Sequence, residues 1–177
     1  MRKDIIQCCC VGQRTPNDVS GYHNKTYAFY QQYLQDLEDV IKTRIQNGIR
    51  RFACGATSEA ELDFAETVLN LRKKYPDVEL EISLPFPSPP TNFSPIDLMR
   101  YKRIIRYADT LLFLFNQRKF TSNDEFERYM IDNSLYTLVV WNGLQKGNAY
   151  NAITYALAQG KLLDILTLPT IQIKKDD

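Results

Sequence analysis

Histidine is almost missing from this chain, with one residue, His23, among 177. A zinc site usually combines cysteines two to four residues apart with a second cysteine pair or with histidines. Here the four cysteines are Cys8, Cys9, Cys10 and the distant Cys54. Three consecutive cysteines on a strand point to alternating faces, which suits neither a metal site nor a disulfide framework. They read as buried thiols in a reducing compartment, and no metal or cofactor is expected. Charge of one sign is also lacking: 22 basic against 21 acidic side chains leave a net charge of +1. No global field therefore draws the chain to nucleic acid or to a membrane surface. No apolar run approaches the roughly 20 residues that a membrane span needs, and the brief apolar stretch after "MRKD" is too short for a signal peptide. A cytoplasmic protein of one domain over residues 1–177 is expected, with homo-oligomerisation left open.

What is present is an alternation of two periodicities. "DIIQCCCV" (residues 4–11) is apolar nearly throughout, as a strand covered on both faces must be. From 25 to 48, Tyr30, Tyr33, Leu34, Leu37, Ile41 and Ile45 recur at helical spacing, and Gly48 stops the helix. Strands are expected at 52–54, 78–84, 110–115, 135–141 and 162–168, and helices at 59–74, from Ser94 to about 108, 122–133 and 148–159. Between the third strand and its helix, "PFPSPPTNFSP" carries five of the eight prolines and must be a loop. Strictly alternating strands and helices give an α/β fold, a three-layer Rossmann-like sandwich around a mainly parallel sheet of about six strands.

Ligands of open α/β sheets bind beyond the carboxyl ends of strands, where loops meet helix N-termini. Four segments qualify: Gly12-Gln13-Arg14, the stretch from Gly55 to Glu61, residues 116–119, and Trp141-Asn142-Gly143 with Gly147-Asn148. Arg14 has the chemistry to grip a carboxylate or phosphate in bidentate fashion, or to pair with Glu59 or Glu61 on the surface. Trp141 suits stacking on a base or burial in the core. In "GATSEAE" (55–61), Ser58 and Glu61 have capping-box spacing. The serine oxygen would accept from the amide of Glu61 while the glutamate reaches back to the amide of Ser58, leaving little of the helix end for a phosphate. Ser122 and Glu125 repeat the spacing. Arg100, Lys102, Arg103 and Arg106, with Tyr101 and Tyr107, form the densest basic and aromatic cluster. Their charges spread around the helix, which reads as a solvated face rather than a nucleic-acid stripe.

These motifs also carry a resemblance. "CCVGQRTP" (9–16) is similar to the C-F-T-G-H-R-P opening of YpsA/YoqJ-like proteins of the SLOG superfamily, relatives of DprA and the Lonely Guy phosphoribohydrolases. "FACGATSEAELDFAE" (52–66) resembles that family's F-I-S-G-G-A-L-G-V-D-L-W-A-A-E. "YMIDNS" (129–134) and "VVWNGLQKGNAYNAITYALAQGK" (139–161) resemble its Y-M-V-D-x-S and A-V-W-x-G…G-G-T…Y-A segments. The resemblance implies a nucleotide-type pocket holding Gly12, Gln13, Arg14, Gly55, Ala56, Trp141, Asn142, Gly143, Gly147 and Asn148, with Asp132 and Ser134 near it. The departures fall on the binding motifs. The family's second glycine is Ala56, its later glycine Glu59, its aspartate Glu61, its R-N pair Phe126-Glu127, and its G-G-T is Gly147-Asn148-Ala149.

Three functions stay open. The favoured one is a non-catalytic binding or sensing module for a nucleotide-derived ligand. The second is hydrolysis of the N-glycosidic bond of a nucleoside phosphate, for which Glu61 or Glu66 would supply the carboxylate supporting an oxocarbenium-like transition state. The third is a protein-interaction module with a vestigial pocket.

Overall fold

The computed structural model of the chain describes residues 7–12 and 28–168. In order these form β1 (Gln7–Gly12), α1 (Ala28–Gln46), β2 (Arg51–Cys54), α2 (Glu59–Arg72), β3 (Glu79–Leu84), α3 (Pro95–Tyr107), β4 (Thr110–Phe113), α4 (Asn123–Asp132), β5 (Tyr136–Trp141), α5 (Asn148–Ala158) and β6 (Leu162–Thr167). All six strands are parallel, in the order β4-β3-β2-β1-β5-β6. The expected α/β fold, a Rossmann-like three-layer sandwich, is therefore the observed one.

With that order, right-handed parallel crossovers fix which face each helix covers. The chain builds outward from β1 through β2 and β3 to β4, with α1, α2 and α3 packed on one face. It then returns to the other side of β1 to add β5 and β6, with α4 and α5 on the opposite face. Two hydrophobic clusters record the two layers. One joins Tyr33, Leu37, Ile41, Leu62, Phe64, Val68 and Ile104 to Cys8, Cys10, Phe52 and Leu80. The other joins Phe126, Met130, Ile131, Ala152, Ile153 and Ala156 to Cys9, Val11, Ala53 and Val139. Adjacent cysteines thus point to different layers. All four are buried and unpaired, and burial raises every thiol, Cys9 to about 11.

Helix starts are set by serine caps. The hydroxyl oxygens of Ser58, Ser94 and Ser122 accept from the amides of Glu61, Asp97 and Glu125 at 3.2, 3.1 and 3.2 Å. One strand is shorter than its sequence suggests. The apolar run from Thr110 leaves the sheet after Phe113, and Leu114–Asn116 form a 3-10 turn. That turn carries Leu114 into the core beneath α4 while Phe113 remains exposed. Among the described residues no helix is long and apolar enough to cross a membrane.

Candidate functional site

At the boundary between β1 and β5 successive loops diverge, which is where open α/β sheets commonly take a ligand. Gly12 ends β1 at this point. A β-carbon on it would lie 2.8 Å from Cβ of Ala60 and 3.1 Å from Cβ of Val140, so its bare backbone lets the first turn of α2 close onto the sheet. Gly55 ends β2 beside it, and a β-carbon there would meet the Phe126 ring at 2.4 Å. The Phe126 side chain of α4 therefore covers the first glycine of the loop. Ala56 has a left-handed backbone, at φ 52°, a conformation that favours glycine.

The helix end that opens α2 carries the expected serine cap, and its glutamate reaches further than the expected capping box. The Glu61 carboxylate reaches the residue before the cap, accepting from the Thr57 amide at 2.5 Å and the Thr57 hydroxyl at 2.9 Å. The same local sequence, Thr-Ser-x-x-Glu, opens α4. There Glu125 accepts from the Thr121 amide at 2.9 Å and hydroxyl at 2.8 Å, and from Arg118 at 2.8 Å. Burial separates the two. Glu125 is exposed, and the bonds from Thr121 and Arg118 lower its pKa. Glu61 is buried, and loss of water pushes it up to about 7 against the same kind of hydrogen bonds.

A second buried carboxyl stands close to it. Glu127, on α4, is 6% exposed, and its Oε2 has no hydrogen-bond partner. Burial, reinforced by the charges of Glu61 and Asp124, pushes Glu127 up to about 8. Asp124 accepts from Asn151 Nδ2 at 3.2 Å through one oxygen and leaves the other, buried Oδ1 without a partner. In the sequence Glu127 stands out only as a departure from a motif.

Glu66 lies on a different face of α2. Its carboxylate binds Arg100 at 3.0 and 3.1 Å, and Arg100 also bonds Asp63 and Asp97. The Tyr30 hydroxyl donates to Asp63 at 2.7 Å, so α1, α2 and α3 are tied by one buried network. This corrects the reading of Arg100 as part of a solvated face: its side chain is 14% exposed, whereas Lys102, Arg103 and Arg106 face solvent.

The remaining expected residues divide by sheet edge. Trp141, Asn142, Gly143, Gly147 and Asn148 stand at the carboxyl edge with Gly12 and Gly55. Trp141 Nε1 donates to the Leu144 carbonyl at 2.8 Å, and the Asn142 side chain accepts from the Leu144 amide at 3.0 Å, so both shape their own loop. The Trp141 ring stacks on Tyr150. Gly147 caps α5 with φ 91°, a conformation that favours glycine, and Asn148 begins the helix. Asp132 and Ser134 are elsewhere, because α4 runs back across the sheet and ends before β5. The Asp132 carboxylate accepts from Tyr155 at 2.8 Å, and Ser134 accepts from Gln7 at the start of β1, both at the amino edge. Gln13, Arg14 and His23 lie outside the described residues.

A cavity of about 400 Å³ opens on the carboxyl edge above β2 and β3. Its lining comes from Gly55, Ala56 and Thr57, from residues 84–86 and 88–92, and from Tyr101 and Asn123. The proline-rich segment after β3 forms its wall. In the sequence its prolines mark a connection, yet it follows a strand end as the four candidate loops do. Among the described residues no cluster of three or more histidine, cysteine or acidic side chains is arranged to hold a metal ion.

The model of the YspA SLOG family matches residues 19–168. The chain belongs to the YspA SLOG family. Membership points to a nucleotide-related ligand-binding or related function. The matched span of this SLOG chain takes in the β2–α2 loop, the proline-rich wall, α4 and the β5–α5 loop. β1 and the Gly12-Gln13-Arg14 segment precede it. Comparison with curated proteins gave no match.

Proposed function

We propose that the protein binds a nucleotide-derived small molecule at the carboxyl edge of its sheet and acts as a cytoplasmic binding or sensing module rather than as an enzyme. The observation that carries this reading is the cavity floored by the β2–α2 loop, whose size falls within the roughly 300–1,000 Å³ of small-molecule sites. Of the residues this reading assigns to the ligand, Gly55 and Ala56 line that cavity; Gly12, Gln13, Arg14, Asn142, Gly143, Gly147 and Asn148 are assigned to the rest of the ligand, with Trp141 bracing the β5–α5 loop. The absence of catalysis rests on the two candidate carboxylates. Glu61 is engaged by Thr57, and Glu66 is engaged by Arg100. A carboxylate that supports a developing oxocarbenium ion must instead face the substrate.

One observation favours hydrolysis as a second reading. Glu61 titrates near 7, the range in which a general acid works at neutral pH. Mass spectrometry of small molecules released from natively purified protein tests both. The binding module predicts a nucleotide-derived compound at near-stoichiometric occupancy, and no release of free base when the protein is incubated with nucleoside monophosphates. Base release would establish the hydrolase, and a protein that is empty as purified and neither binds nor hydrolyses added nucleosides or nucleotides would overturn both.

A further inference from the structure

We infer that the cavity above β2 and β3 takes the uncharged, ring-bearing part of its ligand, so that a nucleoside or nucleobase binds better than its phosphorylated form; this rests on the binding reading above. No charged side chain among the described residues lines the cavity. Its walls are flat and apolar where Phe86, Tyr101 and the proline rings face it, and its polar groups are hydroxyls and amides, those of Thr57, Ser88, Asn92 and Asn123 among them. Aromatic and proline faces suit a planar heterocycle, and neutral donors and acceptors match the edges of a base.

A phosphate has no counterpart there. Burying an anion without a cation or a set of free amides is strongly unfavourable. Three of the donors that this loop would offer an anion are already used: Ser58 takes the amide of Glu61, and the Glu61 carboxylate takes the amide and hydroxyl of Thr57. Glu61 thus fills with its own carboxylate the place where an anion would sit, and when ionised it repels a second one. Arg100, next in sequence to the lining Tyr101, is committed to Asp63, Glu66 and Asp97.

Titration calorimetry on the full chain tests this with adenosine, guanosine, cytidine and uridine, and with their 5′-monophosphates. At least one nucleoside should bind tenfold or more tightly than its monophosphate. Ser88→Trp, at the exposed rim, should weaken that nucleoside at least tenfold with thermal unfolding unchanged. Asn92→Arg, also at the exposed rim, should raise monophosphate affinity at least fivefold by supplying the missing cation. A monophosphate that binds wild type as tightly as its nucleoside overturns the inference and leaves the binding reading standing. Nucleoside affinity indifferent to Ser88→Trp overturns the assignment to this cavity. If neither class binds, the inference falls; the binding reading falls with it only if natively purified protein also releases no nucleotide-derived compound.

Discussion

Glu127→Gln should remove much of the dependence of stability on pH. In the folded protein burial pushes Glu127 from its ordinary 4.5 up to about 8. At about 1.36 kcal/mol for each pH unit, that difference makes ionising the buried group cost on the order of 4–5 kcal/mol, a ceiling that local hydration will lower. The sign follows from proton binding. Between pH 4.5 and 8 the folded state holds a proton that the unfolded chain has released, so stability is fully present below 4.5 and is lost as pH rises through 8. Glutamine keeps the shape and cannot ionise. The variant should therefore match wild type near pH 5 and exceed it by about 2–4 kcal/mol at pH 8.5. Some decline between 4.5 and 7 should remain, because Glu61 titrates at about 7. Urea melts of both proteins at half-unit intervals from pH 5 to 8.5 check this. Parallel curves for wild type and variant would refute the assignment of Glu127 as a buried carboxyl without a partner.

Arg100→Ala should destabilise by about 3–5 kcal/mol, since it leaves the buried Asp63 and Asp97 without their cation; denaturant melts read this directly. Glu66→Gln, at the more exposed end of the same network, should cost about 1 kcal/mol or less and leave ligand binding unchanged, and a loss of binding by calorimetry would return Glu66 to the site. Glu61→Ala should lower stability at pH 5 by about 0.5–2 kcal/mol through loss of its bonds to Thr57, and by less at pH 8.5, where ionisation costs the wild type part of that advantage. Gly55→Ala should cost about 1–3 kcal/mol because its methyl meets the buried Phe126 ring; in a Phe126→Ala background the same change should be nearly neutral, and additivity of the two would contradict that contact.

The fold was legible because its local signals agree. Serine caps at Ser58, Ser94 and Ser122 and the apolar run of β1 each predict what tertiary packing then uses. The site was less legible, for two physical reasons. A cavity wall is a property of how a loop returns over the sheet, and the prolines of residues 85–90 announce a loop without announcing its path. The second reason is that motif position does not report distance along a helix. Asp132 and Ser134 share a motif-like stretch with Phe126 and Glu127, yet α4 carries the first pair to the amino edge while the second remains with Gly55 and Glu61.

The two Thr-Ser-x-x-Glu starts show why the β2–α2 loop differs from an ordinary cap. Both glutamates make the same bonds to the preceding threonine, so local chemistry alone would lower both pKa values. Only Glu61 is fully buried, close enough to Glu127 of α4 for their charges to act on each other, and only Glu61 is raised. Replacing the family's aspartate with glutamate adds the methylene that extends the carboxylate. Replacing its R-N pair with Phe126-Glu127 adds an aromatic ring and a second carboxyl on the same side of the loop. Each change makes the β2–α2 end of the site less able to hold a phosphate, and the neutral cavity beside it is left as the place for a ring. On the inference drawn above, the changes in the motifs act in one direction, against an anion at the start of α2 and toward an uncharged ligand in the cavity beside it.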